Sequence, residues 1–457
     1  VLSPGKLEKA GRAVGMVYRQ IELEMLDYVE DALINGEIYS EDYKRTIKLL
    51  SKTSAQDLQK IIEKHQDEID EAIQEDVEYA LRASSKDDVS RIEKITGDTA
   101  VGVTARQIAS AIESASRAVS RHNLAMNEAA RESLINAATE AMIKTSSGKV
   151  TREQAKRDAV HKLAHQGIQV VSYKSGASIN AADAVERYVR TEISQAGLDL
   201  TESLILQNGI EFVEVSSHAG ARPSHAEWQG QVYSINGRVE VDGVVYEDFY
   251  ESTGYGGLKG PYADIEDRLG GVNCGHSFGP WAPGMKRTYE LEKEHKSALI
   301  DAEIYRLRQG QRRRERDIRV TKRELAGAQK CYEASGDIAD KADVAGLKAK
   351  LSNQQNDLNE YIKKANSKGN APVLQRSAYK VYAGDFKMTQ SVPKASNRSL
   401  RAVMASPSVE RKRIKAGMTK KEANNAIHDE LDRQGLTLKQ FSNLPAKDQA
   451  EIINNIF

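Results

Sequence analysis

The stretch "EFVEVSSHAGARPSHAEWQGQVYSINGRVEVDGVVYE", residues 211–247, is where the hydrophobic period of this chain changes. Apolar residues on either side recur at helical spacing, whereas "EFVEVS", "QVYSI", "RVEV" and "VVYE" alternate with the period of a half-buried strand. Asn236-Gly237 and Asp242-Gly243 separate the later runs. Both dipeptides suit a type I′ turn, whose two central residues need positive φ, so the stretch predicts a small antiparallel meander. Residues 216–284 hold 13 of the 32 glycines, four of the nine prolines, both tryptophans and three of the nine histidines. They form one loop-rich α+β module.

Before this module the chain reads as helices. "LDYVEDALINGEIY" places Leu26, Val29, Leu33 and Ile34 on one stripe that ends at Asn35-Gly36, and "LQKIIEKHQDEIDEAIQEDVEYAL" continues the pattern with Leu58, Ile61, Ile62, Ile69, Ile73 and Val77. "SSGKV" at 146–150 is a linker. Thr151 followed by Gln154 is a capping box, opening a helix that Gly167 closes. A second helix from about Ala181 to Gln207 carries Val185, Tyr188, Val189 and Ile193 inward and stops at Asn208-Gly209. From Met285 to about Ala365 the sequence is again helical and highly charged. The tail beyond about Asn370 ends in a small helical unit, with capping boxes at Thr419/Glu422 and Thr437/Gln440 and Gly435 between its helices.

The predicted fold is therefore mainly α with a small central α+β module and long charged helices. Its segments are an N-terminal helical region at 1–147, the compact module at 148–285, a basic helical arm at 286–369, and a linker with a small helical tail unit at 370–457. A length of 457 residues exceeds what one core usually organises. Apolar content of 40% and charged content of 29% fit long exposed helices. Two cysteines cannot build a disulfide framework, so a reduced interior is the default. No apolar run approaches the roughly 18 residues of a spanning helix, and the first residues carry no basic or apolar signal region.

Lys plus Arg and Asp plus Glu both total 66, but they are unevenly spread. Residues 21–79 contain seventeen acidic and six basic side chains, and residues 306–323 contain nine basic and two acidic ones. Arg312, Arg313, Arg314, Arg316 and Arg319 are the candidates for contact with phosphates or with an acidic partner surface. Without interleaved aromatics the run suits backbone contact and not base stacking. The plainer reading is a solvated helix face paired to Glu315 and Asp317.

Inside the module, His218, His225, Cys274 and His276 are metal-ligand types, and the Cys-x-His spacing allows both side chains to share one face of an extended segment. A zinc site is one reading. The reading adopted from the residues alone is that no cofactor is present and the ring nitrogens hold loops through hydrogen bonds, since no Cys-x-x-Cys occurs. A third reading makes Cys274 a nucleophile with a histidine base. His161 and His165 share a helix face, but Lys162 stands where a metalloprotease helix needs Glu. "GYGGLKG" at 254–260 lacks the Lys-Ser/Thr ending of a phosphate loop and reads as a flexible loop.

"SSHAGARPSHAEWQGQVYS", the later "STGYGGLKGP" and then "GGVNCGHSFGPWAPG" together resemble the signature of the minor capsid protein family of tailed bacteriophages, which is related to Mu-type head morphogenesis proteins. The flanking "HQGIQVVSYKSGASINAADAVERYVRTEISQ" and "RQGQRRRERDIRVTKREL" resemble the helix pair before and the basic helix after that signature. The family pattern maps onto Ser217, His218, Arg222, Pro223, His225, Trp228, Gly230, Asn273, Cys274, His276 and Ser277. Gly275 stands where relatives usually carry Arg. The resemblance implies a structural virion component in few copies, at the portal vertex or head interior. It would act in head assembly, packaging or ejection, and be made in the host cytoplasm. Its implied partners are the portal and major capsid proteins; the charge distribution adds packaged DNA, reached through the basic helix, as an expected partner, and no membrane is expected. No catalysis is implied; the rival reading is a metal-dependent hydrolase or nuclease delivered with the virion.

Overall fold

The computed structural model describes residues 2–35, 43–172, 178–257, 267–271, 274–289, 301–368 and 373–381, with Met418, Ala426, Glu430, Ile452 and Ile453. The chain divides into two compact units, Val1–Gly384 and Asp385–Phe457. In the second, Ile452 and Ile453 are buried. The capping boxes and Gly435 of the tail lie outside the described residues.

The first unit is mainly helical. A short α1 (Pro4–Leu7) leads into α2 (Arg12–Asn35), α3 (Tyr43–Lys64), α4 (Gln66–Thr96) and α5 (Ala105–Ser146). Leu26, Val29 and Leu33 of α2 are buried as the stripe predicts. The single periodic run between Leu58 and Val77 is broken at His65, which separates α3 from α4. This ring is buried, with Nδ1 2.8 Å from Glu68 Oε2 and Nε2 3.0 Å from Glu24 Oε1. Helix α4 ends on Gly97 at φ 78°, a left-handed cap whose N–H reaches Glu93 O. Thr104 and Gln107 form a reciprocal capping box that starts α5. The inward face of α5 is largely alanine, with Ala115, Ala118, Ala130, Ala137, Ala138 and Ala141 buried. Such small side chains let neighbouring helices approach closely, and α3, α6 and α7 (the latter two defined below) pack along it.

Helix α6 (Arg152–Gln166) begins as expected, Thr151 Oγ1 accepting from Gln154 N at 3.2 Å, and ends at Gly167. A two-stranded antiparallel ribbon follows, β1 (Gln169–Ser172) with β2 (Ser178–Asn180), which the periodicity did not announce. Helix α7 (Ala181–Gln207) has the predicted limits and buries Val185, Val189 and Ile193. Tyr188 is different: it is 42% exposed, its ring edge against His122. It sits at the border of the stripe, where an aromatic can lie on apolar surface with its hydroxyl end in water.

The module's main sheet has the order β4–β3–β7, all antiparallel, from β3 (Phe212–Val215), β4 (Val232–Ser234) and β7 (Phe278–Trp281). A separate hairpin joins β5 (Val239–Val241) to β6 (Val244–Tyr246). Its turn is the predicted one, with Asp242 at φ 52° and Gly243 at φ 76°. The continuous meander is corrected at Asn236-Gly237. Only Gly237 takes positive φ there, so the type I′ turn does not form and β4 and β5 belong to different sheets. Strand β7 contains Pro280, which is tolerated because β7 is an edge strand. All four residues of β3 are buried, including Glu214. That carboxylate accepts from the backbone N–H groups of Thr288 and Tyr289, each at 2.8 Å, and from Arg287 Nε at 3.2 Å, which straps the chain after β7 to the sheet.

Two short helices, α8 (Pro223–Ala226) and α9 (Phe249–Thr253), lie in the loops, followed by the long α10 (Asp301–Ser335), α11 (Ile338–Asn366) and a final turn α12 (Ala378–Val381). Arg314 pairs with Asp357 and Glu324 with Lys350, so α10 and α11 run antiparallel. One buried cluster extends from Leu2 through Val213, Trp228 and Phe278 to Cys331, so the first helices, the module and the end of α10 share a core. Ile318, Leu358 and Val381 form a smaller cluster between α10, α11 and α12.

Candidate functional site

The loop between β3 and β4 and the segment entering β7 are knitted together. Ser216 N donates to Ser277 O at 2.7 Å, and Ser277 N donates back to Ser216 Oγ at 2.9 Å. On the first segment, Pro223 at the helix start and Arg222 at the cap form α8, which carries His225 inward; Trp228 and Gln229 follow directly. On the second, Cys274 and His276 precede β7. The result is a buried cluster: His225 is 2%, Cys274 6% and His276 1% exposed.

Cys274 Sγ lies 3.9 Å from His225 Nδ1 and 3.8 Å from His276 Nδ1, and one potential ligand atom from each of the three residues falls within 4.8 Å of the others. His276 N donates to Cys274 Sγ at 3.4 Å. Trp228 packs on this group, its ring 4.7 Å from His225 and 4.8 Å from His276, and its Nε1 has no hydrogen-bond partner among the described residues. His218 is not one of the three. Its ring stacks on His276 at 4.3 Å, and its Nδ1 is 3.3 Å from Ala219 O. Gly275 faces that ring: a Cβ there would stand 3.1 Å from His218 Nε2.

Burial pushes the Cys274 thiol up, and burial aided by the neighbouring His218, His225 and Arg222 holds His276 well below its ordinary value. His218 is lowered by burial too. A nucleophilic cysteine needs the opposite shift, so the arrangement favours fastening over covalent catalysis.

Residue types alone did not single out Gln229 and Asp301. Gln229, 1% exposed, accepts at Oε1 from His218 N at 3.2 Å and lies 3.1 Å from His276 Nε2, while its Nε2 donates to Asp301 Oδ2 at 2.8 Å. The other oxygen of Asp301 accepts from Gly220 N at 2.8 Å. Asp301 opens α10, and Arg308, two turns on, donates to Ala219 O at 2.5 Å. The basic helix is thus docked on the His/Cys loop. The only hint in the sequence is an acidic residue at a helix start. Of the other signature residues, Ser217 is buried, Gly230 takes φ 64° and accepts from Arg287, and Asn273 lies outside the described residues.

The five arginines of the basic run separate into two groups. Arg314 donates to Asp357 Oδ2 at 2.7 Å with its guanidinium 3.9 Å from the Tyr361 ring centre, and Arg319 donates to Asp183 Oδ2 at 3.0 Å and to Lys380 O at 2.8 Å. Both are committed to the fold. Arg312, Arg313 and Arg316 are exposed, with no ion-pair partner among the described residues. His165 has its Nδ1 2.6 Å from Glu324 Oε1, an ordinary helix-to-helix contact. No helix among the described residues is long and apolar enough to cross a membrane.

Fold and site together define a mainly helical protein with a His/Cys-fastened loop module and a basic arm. Residues 2–363 match the family model of phage minor capsid protein 2, and the chain belongs to that family. The match supports a structural capsid role for a bacteriophage protein. No curated protein and no solved structure matches the chain.

Proposed function

We propose that the chain is a low-copy organiser of the portal vertex in the head of a tailed bacteriophage, acting in head assembly and in the handling of packaged DNA. The observation that carries this reading is the exposure of Arg312, Arg313 and Arg316 on a helix where Arg314 and Arg319 of the same basic run are consumed internally. Guanidinium groups without internal partners suit the phosphate backbone, where each contact displaces a condensed counterion. A second face has the opposite sign. Glu63, Asp67, Glu68, Asp70, Glu71 and Glu75 are exposed along the end of α3 and the first turns of α4. Such a strip repels DNA and suits a protein surface, with the portal and the major capsid protein as the partners.

The role is non-enzymatic in this reading. The thiol that would serve as nucleophile is buried and its pKa is raised, and the His/Cys group joins two loop segments. Cross-linking mass spectrometry on intact virions tests the placement. Cross-links from α3 and α4 to the portal are expected; cross-links confined to tail proteins would refute it.

A further inference from the structure

We infer that His225, Cys274 and His276 bind a structural zinc ion, which clamps the β3–β4 loop to the segment entering β7. Four observations carry this. First, the donors converge. Zinc with Zn–S of about 2.3 Å and Zn–N of about 2.0–2.1 Å at tetrahedral angles sets sulfur and nitrogen about 3.5 Å apart. The Sγ to Nδ1 distances of 3.9 and 3.8 Å need to contract by only a few tenths of an ångström.

Second, the hydrogen-bond network fixes the tautomer of His276. The Asp301 carboxylate can only accept, so the Gln229 amide must turn its NH2 group toward Asp301 and its oxygen toward His276. The His218 N–H donating to the same Gln229 oxygen requires the same orientation. His276 Nε2 must then carry the proton and donate, which leaves Nδ1 as a bare lone pair aimed at the cluster. A carboxylate orienting an amide that orients a histidine is the outer-shell arrangement of metal-ligating imidazoles.

Third, hydrogen bonding accounts poorly for the same geometry. With His276 Nδ1 a lone pair, hydrogen bonding would need the thiol proton on that nitrogen and an N–H of His225 pointed at the sulfur, and both distances are long for the purpose. Fourth, the His276 N–H donates to the sulfur at 3.4 Å, a contact that holds Sγ facing the two rings.

Binding needs no redox partner: zinc takes the place of the Cys274 thiol proton, which leaves to solvent, and the two imidazoles donate lone pairs. Three protein ligands leave the fourth position to a solvent or other small ligand. Two nitrogens and one sulfur suit zinc better than the oxygen-seeking calcium or magnesium.

The test uses the full-length chain. Expressed in zinc-supplemented medium and desalted, it is expected to retain stoichiometric zinc, and prolonged chelation is expected to lower its melting temperature. Loaded instead with Co2+, it is expected to show thiolate-to-cobalt charge transfer in the near ultraviolet and the intense visible bands of four-coordinate cobalt. Cys274→Ser is expected to abolish the charge-transfer band and Cys331→Ala to leave it intact. Should Cys274→Ser fail to fold, the wild-type and Cys331→Ala spectra decide the matter. Absence of the band from wild type, or its loss in Cys331→Ala, would overturn the proposal, as would stoichiometric zinc retained by folded Cys274→Ser.

Discussion

Arg319 Nη2 donates to Asp183 Oδ2 at 3.0 Å, tying the middle of the basic helix α10 to the first turn of α7. Burial alone would raise the Asp183 carboxyl, but Arg319, Arg19 and Arg187 outweigh it and hold the group below its ordinary value. Arg319 is a structural residue in a run whose neighbours face solvent.

That difference is measurable by chemical denaturation. Arg319→Ala should lower the unfolding free energy by about 1.5–3 kcal/mol, the worth of a hydrogen bond to a charged group. Arg312→Ala, Arg313→Ala and Arg316→Ala should each stay within about 0.5 kcal/mol of wild type, as exposed substitutions do. Equal losses at all four positions would contradict the division.

The same division predicts DNA behaviour. Binding to random duplex DNA should weaken steeply with salt, and the combined Arg312→Ala, Arg313→Ala, Arg316→Ala variant should have a salt slope shallower by up to about 3, roughly one per lost phosphate contact. Fluorescence anisotropy titrations over a salt series give the slope. A slope unchanged by the triple substitution would remove these arginines from the interface.

Glu30 supplies a pH dependence. Its carboxyl is pushed up to about 8, mainly by burial and further by Asp27 and Asp31, against the pull of Lys330 and Arg323. The folded state therefore keeps a proton that the unfolded chain releases near 4.5. The stabilisation is full below that lower value and is lost as pH rises through the folded one, at about 1.4 kcal/mol per unit separating the two pKa values. Glu30→Gln should flatten the fall in unfolding free energy between roughly pH 5 and pH 9. A variant with the wild-type slope would assign that fall elsewhere.

Gly220 tests the docking of α10 on the His/Cys loop. It takes φ 73°, and a Cβ there would lie 2.8 Å from Ile304 Cγ2 and 3.3 Å from Tyr305 N. Gly220→Ala should cost about 1–2 kcal/mol from the left-handed backbone alone. It should also loosen the start of α10, read as faster proteolysis there. Unchanged melting and proteolysis would mean the contact is dispensable.

Local signals in the sequence located α6 and α7 to the residue, because Thr151, Gly167 and Asn208-Gly209 act within one turn of themselves. The break at His65 was hidden, since the apolar period runs through it and what occupies the break is Glu24 from another helix. The cluster was half legible. Residue types pointed to four candidates, but only packing shows that three converge while His218 stacks beside them. Gln229 and Asp301 are 72 positions apart, and Arg319 and Asp183 are 136 apart. No local pattern encodes either pair, so five arginines that look alike in sequence divide into structural and exposed ones only in the fold.

If this chain is a working part of the phage head, it is present in the assembled particle. Quantitative mass spectrometry of purified, nuclease-treated virions tests it most directly, with the portal protein as the internal standard for copy number. The chain is expected in every DNA-filled particle preparation, at few copies relative to the major capsid protein. Its absence from particles that contain the portal would rule out that role.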